Sequence, residues 1–319
     1  MSTRLKPATT INQHIDRLSK RGMIIDKKQA EQWFSNVSYY RLSAYWYPAR
    51  IFDQSKGVRV DNFMPNTNFN EVVALYEADR KLRTLIHDGM ERLEIAMRTQ
   101  ITELLCAKNQ QDPAFYLDSS EFRETFEHIP WLHTVYGRLS RAKKNDPIKH
   151  YAAEYGGKYP LWVVSEVLDF SDISRLFAGL KSNDQRRVAE NLDIVINFSN
   201  LTQGQKEKLQ KRHPLAGWLE QLTIVRNTCA HHGRIWNKSF APASTEILRS
   251  NGNLSLLPPK QSERIFGSLQ IMSHILRVVS PGTKWPEKVT GLLGGSFLNN
   301  PLVSKESMGI PSNWDRSTI

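Results

Sequence analysis

Residues 226–237, with the sequence RNTCAHHGRIWN, hold the side chains of this chain that are best suited to acid–base chemistry on a phosphate. The polar members of the run are Arg226, Asn227, His231, His232 and Arg234. An imidazole exchanges protons near neutral pH, and a guanidinium stays charged and can grip two phosphate oxygens. Two interpretations are open: the run is the polar end of a core helix, or it is the edge of a site that handles phosphate.

The residues before this run have the spacing of a helix with one apolar face. The apolar stripe holds Leu215, Trp218, Leu222, Val225 and Cys229 at 3.6 residues per turn. Glycine is typical of the position just after a helix, so Gly233 predicts that His231 and His232 lie in the last turn. There the negative end of the helix dipole favours a protonated imidazole, which can donate a proton.

Arg226 and His231 are five positions apart, so they point about 140° away from each other on an ideal helix. Within one chain these two residues therefore form a poor catalytic pair unless the end of the helix unwinds. A twofold dimer with this helix at its interface would place two arginines and two histidines around one cleft. We therefore expect a homodimer.

The longest predicted helix begins at Asn70. Its apolar residues recur in steps of three, four and seven, at Leu75, Leu82, Ile86, Leu93, Met97, Ile101 and Leu104. A kink is possible at Asp88-Gly89. Glu94 and Arg98 are spaced to form a pair at i, i+4 on this helix.

A small N-terminal unit is predicted over residues 1–65. Thr10 can cap a helix that carries Ile11, Ile15 and Leu18, and Asp26 can cap a second one. An aromatic segment follows, and residues 51–69 show no sustained period, so we expect a connection there.

Further helices give the rest of the chain an all-α character. They are predicted near residues 131–143, 161–180, 201–211, 215–232 and 262–279, and strand patterns are scarce. The chain after Gly294 has the character of a loop. We predict a helical bundle over 66–295 and a C-terminal tail over 296–319.

The charge of the chain favours a polyanionic partner. Lys and Arg number 43 against 32 Asp and Glu, for a net charge of +11. With only Cys106 and Cys229, no disulfide framework is expected. The first residues lack the apolar segment of a signal peptide, and no apolar run is long enough for a membrane span. We expect a cytoplasmic protein that does not contact a membrane.

Several sequence blocks resemble the Abi-like (abortive-infection) proteins of bacteria, members of the HEPN superfamily of helical-bundle nucleases and nucleotide-binding domains. The blocks are RGMIIDKKQAEQWFSNVSYYRLSAYWYP, LYEADRKLRTLIHDGMERLEIAMRTQI, YPLWVVSEVLDFSDISRLF, WLEQLTIVRNTCAHHGRIWN and MGIPSNW. The resemblance covers most of the chain from about residue 18 to residue 250. It implies a HEPN-type helical bundle with a small helical N-terminal extension.

The resemblance also implies a metal-independent endoribonuclease. In that family an arginine followed four to six residues later by a histidine marks the ribonuclease site, and Arg226 and His231 match these positions. The 2′-hydroxyl of the RNA would attack the adjacent phosphate and leave a 2′,3′-cyclic phosphate. His231 would act as general acid or base, Arg226 would stabilise the transition state, and Asn227 would orient the histidine or bind phosphate.

Supporting roles remain open for Glu94, Arg98, His232 and Arg234. Glu94 and Arg98 could orient Arg226 or His231, or they could form an exposed ion pair of little energetic value. Candidates for RNA contacts are Tyr40, Arg41, Arg50, Lys143 and Lys144, although packing and solvated surface are alternatives for these aromatic and basic segments.

No cofactor or metal is expected, because Cys229, His231 and His232 are spaced too closely for a zinc site and no phosphate-binding glycine loop occurs. The leading hypothesis is an RNA-cleaving toxin of a phage-defence or toxin–antitoxin system. The alternative is a non-catalytic RNA-binding module that a small structured antitoxin RNA regulates.

Overall fold

The computed structural model describes residues 5, 7–316 and 319. Within them the chain forms fourteen α-helices and two small two-stranded sheets, which confirms the predicted all-α class. Residues 1–4, 6, 317 and 318 belong to the predicted N-terminal unit and tail and lie outside the described residues. None of the described helices combines the length and the apolar character that a membrane span requires.

The chain packs as two compact units. The first contains the residues up to Leu82 together with Thr290–Lys305, and the second contains Arg83–Val289 and Glu306–Ile319. These compact units are not the same thing as the predicted domains, so the domain boundaries at residues 65 and 295 stay a prediction.

The first unit begins with three short helices: α1 (Ile11–Lys20), α2 (Lys27–Asn36) and α3 (Tyr39–Trp46). The predicted caps are confirmed, since Thr10 forms a capping box with Gln13 and the Asp26 carboxylate accepts from the Gln29 amide. The aromatic segment forms α3, and its rings Tyr39, Tyr45 and Trp46 are buried in the core. Packing is therefore the role of these three rings.

A β-hairpin occupies much of the segment predicted as a connection. Strands β1 (Arg50–Asp53) and β2 (Val58–Phe63) pair antiparallel, with Arg50 opposite Phe63 and Phe52 opposite Arg59. The strands are short and mostly exposed, so their side chains do not alternate between core and solvent as a longer strand would. Their pairing, and not a sequence period, defines them.

Helix α4 (Phe69–Lys108) confirms the predicted long helix, and its apolar stripe is buried. It runs through Gly89 without a break. A Cβ at Gly89 would lie 2.8 Å from Met272 Cε and 2.9 Å from Trp285 Nε1. The glycine therefore permits close packing and does not end the helix.

The second unit continues with shorter helices. They are α5 (His128–Arg141), α6 (Asp146–Glu154), α7 (Leu161–Ser165), α8 (Phe170–Gly179), α9 (Ser182–Asn191), α10 (Gln203–Lys211), α11 (Pro214–Ala230), α12 (Ile265–Val279) and α13 (Trp285–Leu292). Strands β3 (Ala243–Ser244) and β4 (Gln261–Ser262) form the second small sheet. Helices α6, α9 and α13 were not predicted.

The segment predicted as one helix over 161–180 is two helices, α7 and α8. Asp169 lies between them and caps α8, because its carboxylate accepts from the amides of Ser171 and Asp172. The chain after Gly294 is mostly turns, as predicted, but it includes the short helix α14 (Lys305–Met308) and buries Phe297, Met308 and Trp314.

Helices α8 and α12 form the centre of the second unit. Helix α8 packs against both α5 and α11. In α12 every residue from Ile265 to Leu276 is buried, as expected of a helix surrounded by protein. Helix α11 also packs on α12, so its apolar stripe is fixed from two sides.

Candidate functional site

Helix α11 carries the candidate catalytic run at its C-terminal end. Pro214 occupies the first turn, where a missing amide proton costs nothing, and the His213 ring nitrogen Nδ1 accepts from the Leu215 amide at 3.2 Å. All five residues of the predicted apolar stripe are buried. Burial of that stripe fixes the rotation of the helix and leaves Asn227 and His231 exposed.

The helix ends two residues earlier than the sequence predicts. Its last residue is Ala230, His231 is the C-cap, and His232 follows in the left-handed region with φ of 55°. The His232 amide donates to the Cys229 carbonyl at 2.9 Å, and the Gly233 amide donates to the Thr228 carbonyl at 2.7 Å. This is a Schellman motif with a histidine in the place that usually belongs to glycine.

A glycine is required at position 233 for a reason other than the predicted one. It follows the left-handed residue, and a Cβ there would lie 2.8 Å from Thr228 Cγ2 and 3.1 Å from the Thr228 carbonyl oxygen. The placement of His231 and His232 within the last turn is therefore wrong, because the chain leaves the helix between them. Both imidazoles are exposed to solvent.

Arg226 is half-buried one turn before the end of the helix. Its Nη1 donates to the Asn227 side-chain oxygen at 3.2 Å. Asn227 therefore contacts the arginine, whereas its backbone carbonyl accepts from the His231 amide at 3.0 Å. This contact favours a role for Asn227 in orienting Arg226.

Glu94 and Arg98 of α4 form a pair that is mostly buried. The Arg98 Nη2 lies 3.1 Å from a Glu94 carboxylate oxygen, and their side chains are 15% and 19% exposed. Arg98 also donates to the Leu168 carbonyl at 3.0 Å. Burial raises the pKa of the Glu94 carboxyl above its ordinary value, although the positive charges of Arg98 and Arg226 act in the opposite direction. The alternative of an exposed surface pair does not describe this geometry.

Two aspartates of the α8 N-terminus lie in the same electrostatic neighbourhood, and sequence reasoning missed them. Asp169 and Asp172 form a capping box, and both raise the pKa of Glu94. Arg138 of α5 binds both carboxylates, with its Nε 2.7 Å from an oxygen of Asp172. The signal for them in the sequence is the Asp-x-x-Asp spacing at the start of a helix.

Arg234, a predicted supporting residue of the run, contacts the ring of Trp236. Arg234 is half-buried, and its guanidinium lies 5.6 Å from the ring centroid of Trp236. Trp236 is buried, and its indole nitrogen donates to the Ser307 hydroxyl at 3.2 Å. The contact of Arg234 with this anchored ring is a packing contact.

The structure does not bring the predicted RNA-binding residues together in one element or unit. Tyr40 is 71% exposed, and Arg41 beside it on α3 is also exposed. Arg50 instead pairs with Asp61 at 3.0 Å and lies over the Tyr47 ring. These three belong to the first unit, whereas the exposed Lys143 and Lys144 follow α5 in the second.

No group of three or more His, Cys, Asp or Glu side chains within the described ranges is arranged to hold a metal ion. A charged network acts electrostatically on Arg226: Glu94 pairs with Arg98, and Asp169 and Asp172 bind Arg138. The charge of Arg226 is felt by the Glu94 carboxyl, so nearby negative charge partly balances that of the arginine.

A family model described as Abi-like protein matches residues 32–237, close to two thirds of the chain. The match begins in α2 and ends with the run that follows α11. No curated protein and no solved structure matches the chain.

Proposed function

The chain belongs to the Abi-like protein family, which indicates a role in abortive infection, and we propose that it acts there as a metal-independent endoribonuclease. The observation that carries the proposal is the end of α11, where the exposed His231 is the C-cap five residues after the half-buried Arg226. The charged network around that arginine and the net charge of +11 support a phosphate-containing substrate. The finer assignment to the HEPN superfamily stays a prediction.

The proposed reaction uses the 2′-hydroxyl of the RNA as nucleophile. The 2′-oxygen attacks the adjacent phosphorus, the bond from phosphorus to the 5′-oxygen breaks, and a 2′,3′-cyclic phosphate and a free 5′-hydroxyl result. An imidazole of His231 accepts the proton of the 2′-hydroxyl, or donates one to the leaving oxygen. Arg226 stabilises the charge on the phosphate oxygens, and Asn227 holds its guanidinium in place.

A homodimer would supply the second proton-transfer group. One imidazole cannot be protonated and unprotonated at once, so a base and an acid that act in the same step require two groups. Two copies of residues 226–237 around one cleft would provide two His231 imidazoles and two Arg226 guanidiniums. We include this dimer in the proposal.

The test is cleavage of end-labelled RNA in EDTA by wild-type, His231→Gln and Arg226→Lys proteins. We expect products with cyclic phosphate ends from the wild type and a loss of 100-fold or more in rate for His231→Gln. Arg226→Lys should also be slow, because an ammonium does not reproduce the two-pronged grip of a guanidinium. The exposed Lys28→Gln on α2 is the control and should cleave normally.

Cleavage that persists in His231→Gln, or that requires a divalent metal, would show that this mechanism is wrong. If the protein binds RNA tightly but cleaves none, the non-catalytic RNA-binding module is the better description. In that case a small structured RNA that copurifies with the protein would identify its regulator.

A further inference from the structure

Helices α5 and α6 border a shallow, mostly open hollow of about 670 Å³ on the second unit. Its floor contains Leu139 and Ile148, which are buried. The rings of Tyr136 and Tyr159 line it, and we call it the tyrosine hollow. Its volume lies in the range of sites that bind small molecules or single nucleotides.

Tyr136 is exposed and Tyr159 is half-buried, so both side chains reach solvent. Tyr136 projects from α5 outside the buried stripe of Trp131, Val135 and Leu139, and it is 54% exposed. Neither Tyr136 nor Tyr159 packs against another aromatic ring in the part of the chain that the structure describes. The exposed Tyr136 ring therefore contributes little to the core, and within the described residues neither ring already uses a face for aromatic stacking.

Positive charge surrounds these rings. Residues 136–159 contain six Lys or Arg and only two Asp or Glu, and one of the six, Arg138, is already bound by Asp169 and Asp172. Lys143 and Lys149 line the hollow, and among the described residues no carboxylate pairs with Lys143. The pair of Lys149 with Asp146, at 3.3 Å, is exposed and therefore weak. The hollow thus combines an apolar floor, two tyrosine rings without aromatic partners among the described residues, and the ammonium groups of Lys143 and the weakly paired Lys149.

We propose that the tyrosine hollow binds an unpaired base of single-stranded RNA, with Tyr136 and Tyr159 as stacking partners and Lys143 on a flanking phosphate. Interleaved aromatic and basic side chains are the usual means of holding single strands. The bases of a duplex are already stacked and paired, so they cannot enter the hollow. This inference rests on the proposed function, and it adds the substrate class: RNA that is single-stranded where it meets the protein.

The test is equilibrium binding of a fluorescein-labelled 12-nucleotide 2′-O-methyl RNA, measured by anisotropy at several salt concentrations. This probe cannot react through its 2′-oxygen, so binding is measured apart from cleavage. We expect Tyr136→Ala and Tyr159→Ala each to weaken binding by about five- to a hundredfold. Tyr136→Phe keeps the ring and should bind within about twofold of the wild type.

Two further measurements sharpen the test. Lys143→Gln should make the slope of log affinity against log salt shallower by about 0.7, the value for one phosphate contact on a single strand. Phe52→Ala is the matched control, because it removes an exposed ring of the hairpin in the first unit. It should leave the affinity unchanged, and circular dichroism checks that every variant is folded.

Tyr136→Ala binding as tightly as the wild type, or a duplex of the same sequence binding as tightly as the single strand, would overturn the inference. These outcomes are separate from those of the proposed function. If the protein cleaves RNA but its RNA affinity does not depend on Tyr136, the proposed function stands and the inference about the tyrosine hollow fails. If the protein shows the expected binding but no cleavage, the inference about the tyrosine hollow stands and the proposed nuclease activity fails.

Discussion

At the residue scale, the feature that distinguishes the end of α11 is His232 in a left-handed conformation. In that conformation a residue with a Cβ is higher in conformational free energy than glycine by roughly 1 kcal/mol. The flanking hydrogen bonds to Thr228 and Cys229 hold it in place, and Gly233 allows the close return of the chain. Strain of this kind occurs at functional sites, where a side chain is needed at a position that the backbone would give to glycine.

We predict that His232→Gly raises the free energy of unfolding by up to about 1 kcal/mol, because glycine relieves the left-handed strain. His232→Ala keeps a Cβ, so it should not gain this stability and serves as the control. The measurement is urea denaturation followed by circular dichroism. The strain argument fails if the alanine and glycine variants are equally stable.

At the element scale, helices α4, α5, α8 and α11 assemble the candidate site. Helix α8 lies between α5 and α11, and its capping residue Asp169 both starts the helix and binds Arg138. Helix α4 supplies Glu94 and Arg98 to the same network. A change in how α4 packs would therefore alter the charge around Arg226.

We predict that Gly89→Ala lowers the free energy of unfolding by about 1 kcal/mol. Alanine gains about 1 kcal/mol in helix propensity, but its Cβ would overlap the Trp285 ring, and overpacking costs about 1–3 kcal/mol. Trp285 cannot move freely, since its indole nitrogen donates to the Leu85 carbonyl at 2.6 Å. Thermal unfolding measures the effect.

The matched control is Gly217→Ala in α11, where a Cβ meets no atom within 4 Å. It should stabilise the protein through helix propensity alone. Opposite signs for the two glycines would support the packing role of Gly89, and equal stabilisation would contradict it.

At the scale of the whole molecule, two features bear on the proposed substrate and on the proposed dimer. They are the net charge of +11 and the single copy of the candidate run in each chain. If RNA is the substrate as proposed, this charge would attract it over long range and make its binding sensitive to salt. One run per chain provides one His231 and one Arg226, and the proposed reaction uses two proton-transfer groups. The complete site is therefore proposed to be dimeric.

We predict that light scattering gives twice the chain mass of 36.7 kDa for the active protein. If subunits exchange, a mixed dimer of wild-type and His231→Ala chains holds only one His231 imidazole, so an excess of His231→Ala protein should lower the cleavage rate of the wild type. A monomer that cleaves RNA at the full rate would rule out the shared cleft. So would a dimer with its two His231 side chains on opposite outer faces.

The sequence by itself determined the elements that local physics controls. Apolar periodicity predicted α4 and the buried stripe of α11, and capping residues such as Thr10 and Asp26 predicted where helices begin. These features are readable because helix hydrogen bonds and caps join residues that are close along the chain. Arg226 and His231 were singled out by the resemblance to the Abi-like family, and their catalytic role stays a prediction.

Only the tertiary structure decided which distant residues meet. The hairpin of β1 and β2 depends on pairing between strands, and neither strand carries a period long enough to reveal it. The contacts of Arg138 with Asp169 and Asp172, and the approach of Tyr136 to Tyr159 around one hollow, join separate helices and loops. Such meetings follow from how whole helices pack, and a pattern of apolar residues shows which face is buried but not which side chains lie against it.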